Sequence, residues 1–381
     1  MDSMGMKSEN IAYYNNKLIL KMLLKEPLSS YELEGKTGLT HMATGRILRR
    51  LYEMEIVKPY SESPKKRSVG RPLFKYEINE KRAYFVCINF QHACEGFSIY
   101  DLKGNVVHTE ALNIGVVDKA VLKSTNARII AILAEKKLPL DRISIVSVSI
   151  PGRINEENGK IIVSSKIDKS VNLFRELKES FPSSLIEIKN DIDYACINSI
   201  LADEFDYGKG THLYLYVGAG VSCCLIYDKK LVVGSKGFGG EIGMNRVDNC
   251  GNRLADAVSP FDMVDFCKKV TGDKDFSLAS IKSASEKYPE IKKKLDDMAE
   301  LLGITICNYV DMLGATHIVF AGPITCFPDF FFDKFSKMLK ETNYSDELDY
   351  KIDFSFSEET VVGQMLLSRL NSLDWIMQQY M

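Results

Sequence analysis

The feature of this 381-residue chain that most restricts its fold is an alternation of strands and helices that runs twice in the same order. Ala83 to Ser98 and Val106 to Leu112 alternate apolar and polar residues around a turn at Asp101 to Asn105, which predicts an antiparallel β start. A helix covers about Asp118 to Lys136, and the apolar run Ile143 to Ile150 is a buried strand that ends at Pro151-Gly152. A hairpin turning at Glu157-Asn158-Gly159, a helix near Val171 to Ser180, a strand Leu185 to Ile188 and a helix Tyr194 to Glu204 complete the first cycle. The second opens with a strand at Thr211 to Val217, a Gly-rich turn and another strand. It continues through a long helix near Ile291 to Leu313, a strand His317 to Ala321, a helix near Phe327 to Lys340 and a terminal helix about Glu359 to Gln379. Such alternation predicts an α/β fold. The length exceeds what one core supports, so several domains are expected, and residues 1–78, 79–200 and 201–381 are the divisions we assign.

Ahead of that body the charge changes sign. Met1 to Tyr76 holds 14 Lys and Arg against 8 Asp and Glu, a net +6, while the remaining 35 against 43 give −8, so the total of −2 conceals a basic first unit on an acidic body. The basic end is a candidate nucleic-acid surface.

Leu18, Ile19, Met22 and Leu23 recur at helical spacing, and Pro27 stops that helix. Ser29-Ser30-Tyr31-Glu32 has the Ser-x-x-Glu form of a capping box and opens a short helix ending at Gly38. Thr40 can cap a third helix whose apolar side is Thr44, Ile47, Leu48 and Leu51. Three short helices with a Gly-containing turn predict a helix-turn-helix. The opposite side of the third helix carries His41, Met42, Gly45, Arg46, Arg49 and Arg50, which supply cations for phosphates and guanidinium groups that read guanine in the major groove. Two β-prone runs, Ile56-Val57 and Leu73 to Tyr76, then flank a polar segment with Lys65, Lys66, Arg67 and Arg71, the pattern of a wing lying along phosphates or in the minor groove. A solvated linker is the competing reading of that charge run, and the capped helices directly before it favour DNA. The expected DNA contacts are Thr40, His41, Met42, Arg46, Arg49, Arg50, Lys65, Lys66, Arg67 and Arg71.

No run of about 18 apolar residues exists and Met1 to Asn16 is polar, which points to the cytoplasm and away from a membrane. The nine cysteines lack regular spacing, and buried reduced thiols are the expected state. None of the histidines (His41, His92, His108, His212, His317) lies within ten residues of Cys250, so local sequence offers no zinc cage.

The order of helix-turn-helix, basic wing, Gly70-Arg71-Pro72 and strand, together with Gly237-Phe238-Gly239-Gly240-Glu241-Ile242-Gly243-Met244 and Asn249-Cys250-Gly251-Asn252-Arg253, resembles the ROK family of repressors, open reading frames and sugar kinases over almost the whole chain. The resemblance implies a winged helix-turn-helix followed by the two-lobed actin-like, ribonuclease-H-like ATPase fold, with a cleft between the lobes and a terminal helix. It also implies sites. The family's kinases carry Asp-x-Gly-Gly-Thr at the first phosphate turn, where this chain has Asn89-Phe90-Gln91-His92-Ala93: the carboxylate is neutralised and bulky side chains replace the glycines that let a phosphate approach the backbone. Gly218-Ala219-Gly220 keeps two glycines of the family's second run, and a tight strand turn is the better account of them. Asn190-Asp191 matches the pair whose Asp is the kinase general base, and Glu241 matches the glutamate that accepts sugar hydroxyls. Without a γ-phosphate to attack, Asp191 can still accept hydrogen bonds. A helix N-cap competes as a reading of Asn190-Asp191 alone. The family histidine serving sugar and zinc is Met244 here, Cys250 stands alone, and Leu254 and Asp256 occupy the places of a cysteine and a glutamate. Neither zinc nor another cofactor is expected.

The expectation is a DNA-binding repressor without a catalytic residue. It would act as a homodimer or higher homo-oligomer on a double-stranded operator, and respond to a sugar or sugar-phosphate effector held by Asn190, Asp191 and Glu241. Two alternatives stay open: an ATP-dependent carbohydrate kinase with an accessory DNA-binding domain, and a constitutive DNA-binding protein whose body only dimerises.

Overall fold

The computed structural model describes residues 8–60, 74–91, 94–202, 204–326, 328–341, 347, 349–356 and 360–380. Its first unit is α1 (Ser8–Leu23), the two-residue strand β1 (Leu28–Ser29), α2 (Ser30–Thr37), α3 (His41–Glu53), β2 (Val57–Pro59) and β3 (Lys75–Ile78). Side chains set the helix starts. The Ser29 hydroxyl accepts the Glu32 N–H at 3.3 Å while the Glu32 carboxylate accepts the Ser29 N–H at 2.7 Å, which closes the reciprocal capping box read from the sequence. Gly38 ends α2 at φ 70°, where a side chain would be strained, and Thr40 caps α3 by accepting the Ala43 N–H at 3.3 Å. Thr44, Ile47, Leu48 and Leu51 are buried as their spacing predicts, in one core with Ile19, Leu20, Leu23 and Leu33. β3 lies between β1 and β2, antiparallel to both, so the described part of the unit has winged-helix architecture.

The body begins with β4 (Tyr84–Asn89), β5 (Gly96–Asp101), β6 (Val106–Ala111), α4 (Lys119–Glu135), β7 (Ile143–Ile150), the hairpin β8 (Gly152–Asn155) and β9 (Lys160–Ser164), α5 (Leu173–Ser180), β10 (Leu185–Asn190) and α6 (Asp191–Leu201). It continues with β11 (Thr211–Val217), β12 (Val221–Tyr227), β13 (Lys230–Val232), α7 (Leu254–Ala257), α8 (Pro260–Thr271), α9 (Ile281–Lys287), α10 (Pro289–Leu313), β14 (Ala315–Ala321), α11 (Pro328–Lys340), β15 (Lys351–Ser355) and α12 (Thr360–Gln378). The sheets run β10-β7-β4-β5-β6 and β13-β12-β11-β14-β15. In each, the first strand is central. An antiparallel meander lies on one side of it and two parallel strands on the other. The two halves therefore share one topology, as a two-lobed fold requires. Among the described residues no helix is long and apolar enough to cross a membrane.

Three elements differ from the sequence reading. The run Ala83 to Ser98 is two strands, β4 and β5, paired from Tyr84–Asp101 to Asn89–Gly96. All six β4 residues are buried, so no alternation marks where the strand ends. α6 begins at Asp191 and not at Tyr194, because Asn190 caps it. The terminal helix, grouped by sequence order with residues 201–381, packs instead on the first sheet. There Ser147 bonds Ser368 at 2.9 Å, Ser144 bonds Ser372 at 2.8 Å, and Gln364 Nε2 donates to the Ile88 carbonyl at 3.1 Å. The far end of α12 carries Leu373, Ile376 and Met377 into the core of the winged helix. α6 makes the opposite crossing: Ile192, Ala195 and Cys196 pack with Tyr214, Ile226 and Val319 of the second sheet.

Candidate functional site

α3 presents two groups of cations. Arg46 and Arg49 are exposed, as are His41 and Met42, the latter 86% accessible. His41 Nδ1 lies 2.7 Å from Glu34 Oε1, which ties the start of α3 to α2, and the Thr40 hydroxyl is taken up as the cap. Arg50 is half-buried and donates to the Tyr380 carbonyl at 3.4 Å, a contact with the end of the chain that the sequence does not announce. The wing cations Lys65, Lys66, Arg67 and Arg71 lie outside the described residues.

Gly45 sits in the middle of α3, and a Cβ built there would meet no atom within 4 Å. Nothing within the described chain requires a glycine, so Gly45→Ala is expected to stabilise the fold by about 1 kcal/mol through helix propensity. If DNA backbone approaches α3 at that point, the same variant loses DNA affinity while melting higher. A calorimetric scan and a DNA titration on one preparation check both halves, and a lower melting temperature would contradict the first.

The residues expected to hold an effector gather at the end of β10, where the two lobes meet. Asn190 is the N-cap: its Oδ1 accepts the Ile192 N–H at 2.8 Å and its Nδ2 donates to the Gly152 carbonyl at 2.6 Å, pinning the start of α6 to the β8 strand. The N-cap reading of Asn190 is thus correct. Asp191 is the first helical residue, 8% exposed, and its carboxylate accepts the same Ile192 N–H at 3.0 Å. Burial pushes its pKa up to about 7, against which that backbone bond and the nearby Arg153 work only partly. Burial also raises Asp193, opposed by Arg153 and Lys189.

Arg153, which sequence reasoning missed, organises this cluster. It lies on β8 with its side chain 7% exposed, its Nη1 is 3.5 Å from Asp193 Oδ2, and its Nε donates to Glu241. Glu241 belongs to the strap from Gly234 to Met244 in the second lobe, so the ion pair spans the cleft. Two other contacts hold the strap to the β8–β9 hairpin. The Glu156 N–H donates to the Lys236 carbonyl at 3.3 Å, and a Cβ on Gly237 would stand 2.9 Å from the Glu156 side chain. Gly240 is required absolutely: at φ 82°, an added Cβ would fall 1.7 Å from the Cys223 carbonyl. The motif glycines are therefore packing requirements that deliver Glu241 to the cleft. The structure joins Asn190 and Asp191 to Glu241 through Arg153 and Asp193.

Beyond Glu241 the loop is closed by its own hydrogen bonds. Asp248 accepts the N–H groups of Cys250 at 2.9 Å and Asn252 at 3.1 Å, and the Val247 N–H donates to the Asn252 carbonyl at 2.9 Å. Met244 is 53% exposed, with Arg253 Nη1 at 2.8 Å from its sulfur. Among the described residues no group of three His, Cys, Asp or Glu side chains could hold a metal ion.

The two glycine turns are equally specific. Gly218-Ala219-Gly220 joins β11 to β12 directly after the Val217–Val221 pair. A Cβ on Gly218 would lie 2.8 Å from the Tyr216 ring, and one on Gly322 would lie 2.7 Å from the same ring. The Tyr216 ring thus fills the space between these turns. On the first sheet Asn89 Oδ1 accepts the Gln91 N–H at 2.7 Å, a side-chain-capped turn; His92 and Ala93 lie outside the described residues.

Comparison with known proteins agrees with this geometry. The family model described as ROK family matches residues 96–360. The xylose repressor of Caldicellulosiruptor bescii is 22% identical over 362 residues, 87% of this chain and 88% of that protein. A solved ROK family transcriptional regulator, a homologue of the E. coli MLC protein, superposes with a TM-score of 0.75 at 18% identity and covers 97% of this chain and 98% of its own. A ROK family glucokinase from Streptomyces griseus, solved with glucose and AMPPNP, gives 0.55 at 14% identity and covers 76% of this chain and 99% of its own. The matched span takes in both sheets apart from β4, together with Arg153, Asn190, Asp191, Asp193 and Glu241, while the turn that begins at Asn89 lies upstream of it. By that match the chain belongs to the ROK family.

Proposed function

We propose that this protein is a transcriptional repressor that binds a double-stranded operator through its winged helix and responds to a sugar or sugar phosphate in the interlobe cleft, without phosphorylating it. The observation that carries the reading is the course of α12. At one end the Thr360 hydroxyl donates to the Asp191 carbonyl at 3.3 Å; at the other, Leu373, Ile376 and Met377 belong to the core of the winged helix. One rigid element thus touches both the start of α6 in the cleft and the DNA-facing unit. An effector that binds one arrangement of the lobes better shifts the population of that arrangement and, through α12, the pose of α3.

Asn190, Asp191 and Glu241 are the effector groups in this reading, and Arg153 holds Glu241 until hydroxyls replace it. A homodimer would place two α3 helices on two half-sites. The relatives support a repressor, since proteins named xylose repressor match most of the chain and the regulator's structure matches nearly all of it. A kinase is disfavoured by Asn89, which brings no carboxylate to the first turn, and by the Tyr216 ring between Gly218 and Gly322. Coupled ADP release over a hexose panel tests that point, and robust sugar-dependent turnover would overturn it.

The central test is a mobility shift on DNA from upstream of the protein's own gene at about 0.15 M salt, where equal affinity for random DNA would sink the repressor reading. Arg49→Ala should weaken this binding by about tenfold, the worth of one charge-assisted contact, with an unchanged melting temperature. Unaltered affinity would remove Arg49 from the interface.

A further inference from the structure

Between α1 and α3 lies a crevice of about 560 Å³ whose walls carry Arg46 and Arg50 from α3, Asn15 and Asn16 from α1, and Met377 from α12. Among the described residues no acidic side chain lines it. Arg46 has no carboxylate partner among the described residues, and Arg50 has only the Tyr380 carbonyl. Asn16 is the more telling group. It is 7% exposed, yet its side-chain amide makes no hydrogen bond among the described residues, and it borders the crevice. The polar atoms of that amide stay open to solvent at the crevice, so beside two guanidinium groups it is a donor free to bond whatever enters.

We infer that this crevice binds a phosphate group, with Arg46 and Arg50 supplying charge and the Asn16 amide supplying a neutral donor. Guanidinium groups match phosphate geometry through paired N–H donors, and an amide adds a short-range contact that salt does not screen. Resting on the DNA-binding reading above, the inference assigns Arg46 and Arg50 to backbone phosphate and leaves base reading to Met42, Arg49 and the first turn of α3. It also makes Arg50 a shared resource. The Tyr380 carbonyl and a phosphate compete for one guanidinium, and Tyr380 lies two residues beyond α12, the helix whose other end touches Asp191.

The test uses the full chain, with Asn16→Ala and Arg50→Gln beside the wild type. Each is titrated across a salt series against the upstream duplex and a scrambled duplex of equal length. In parallel, thermal melts are recorded with inorganic pyrophosphate. A backbone phosphate in the crevice makes both variants lose roughly tenfold affinity on both duplexes alike. It also makes Arg50→Gln reduce the slope of log K against log salt by about 0.9. If pyrophosphate raises the wild-type melting temperature but not that of the variants, while DNA affinities stay equal, the phosphate belongs to a small molecule and the crevice assignment stands. Loss confined to the upstream duplex means base reading and overturns the inference, as does no difference in either arm. Wild type that binds neither duplex at low salt defeats the DNA-binding reading instead, and the pyrophosphate arm still decides the crevice.

Discussion

Gly363→Ala is expected to cost about 2–4 kcal/mol and to disconnect the cleft from the winged helix. Gly363 lies in the first turn of α12 where it crosses α6, and a Cβ there would fall 1.9 Å from the Tyr194 carbonyl oxygen and 2.9 Å from the Asn198 nitrogen. These are backbone atoms of a packed helix, so no side chain can turn aside; α12 itself must move. Overpacking of this kind costs about 1–3 kcal/mol. The displacement also strains the bonds from Thr360 to the Asp191 carbonyl and from Gln364 to the Ile88 carbonyl, each worth about 1 kcal/mol. Against this, alanine gains about 1 kcal/mol of helix propensity over glycine. The clash wins, in contrast to the same exchange at Gly45, where nothing stands in the way and propensity decides. Urea unfolding measures the loss. DNA binding should persist, because α1, α2 and α3 keep the contacts they make with one another through Ile19, Leu20, Leu33, Leu48 and Leu51, while any effector response of DNA affinity should disappear. A variant as stable as wild type would mean that the α6–α12 crossing is looser than its geometry.

What the sequence disclosed and what it hid divide by distance along the chain. The capping box at Ser29 and Glu32, the Thr40 cap and the apolar side of α3 were all legible, because each is a contact within four residues. Strand β7 was legible too, as an apolar run of strand length between turn signals. The break between β4 and β5 was not. Both strands are buried on both faces, so residues 84–101 present apolar side chains to two cores and the period of two is lost. β15 escaped because an edge strand of five residues, Lys351 to Ser355, carries little pattern. In the cleft, Asn190, Asp191 and Glu241 were found through the motifs around them. Arg153 was not, since its partner Glu241 is 88 residues away and no local rule links them. The place of α12 was hidden for the same reason: its hydrogen bonds to the first sheet span more than 200 residues.

Asp191→Asn should make the protein more stable at pH 8 and leave it nearly unchanged at pH 4. The Asp191 carboxyl has a folded pKa of about 7 against an ordinary 3.8 in the unfolded chain, because burial disfavours its charge. A raised folded pKa contributes stability that is complete below the unfolded value and is lost as pH rises through the folded value. Between about pH 4 and pH 7 the unfolded chain has released this proton while the folded one retains it, so wild-type stability falls across that window and levels above it. The full amplitude is on the order of 4 kcal/mol. Asp193, raised in the same direction, adds to the wild-type slope, so the informative quantity is the difference between wild type and variant at each pH. That difference should grow in favour of asparagine from pH 4 and reach a plateau above pH 7. The amide keeps the shape of the neutral acid, so the packing at the start of α6 is preserved. A difference that is flat with pH would show Asp191 ionised throughout. The consequence for the cleft follows from the same number. A carboxyl that is half neutral at pH 7 can donate to a ligand hydroxyl in one form and accept from it in the other, so it suits recognition of a polyol.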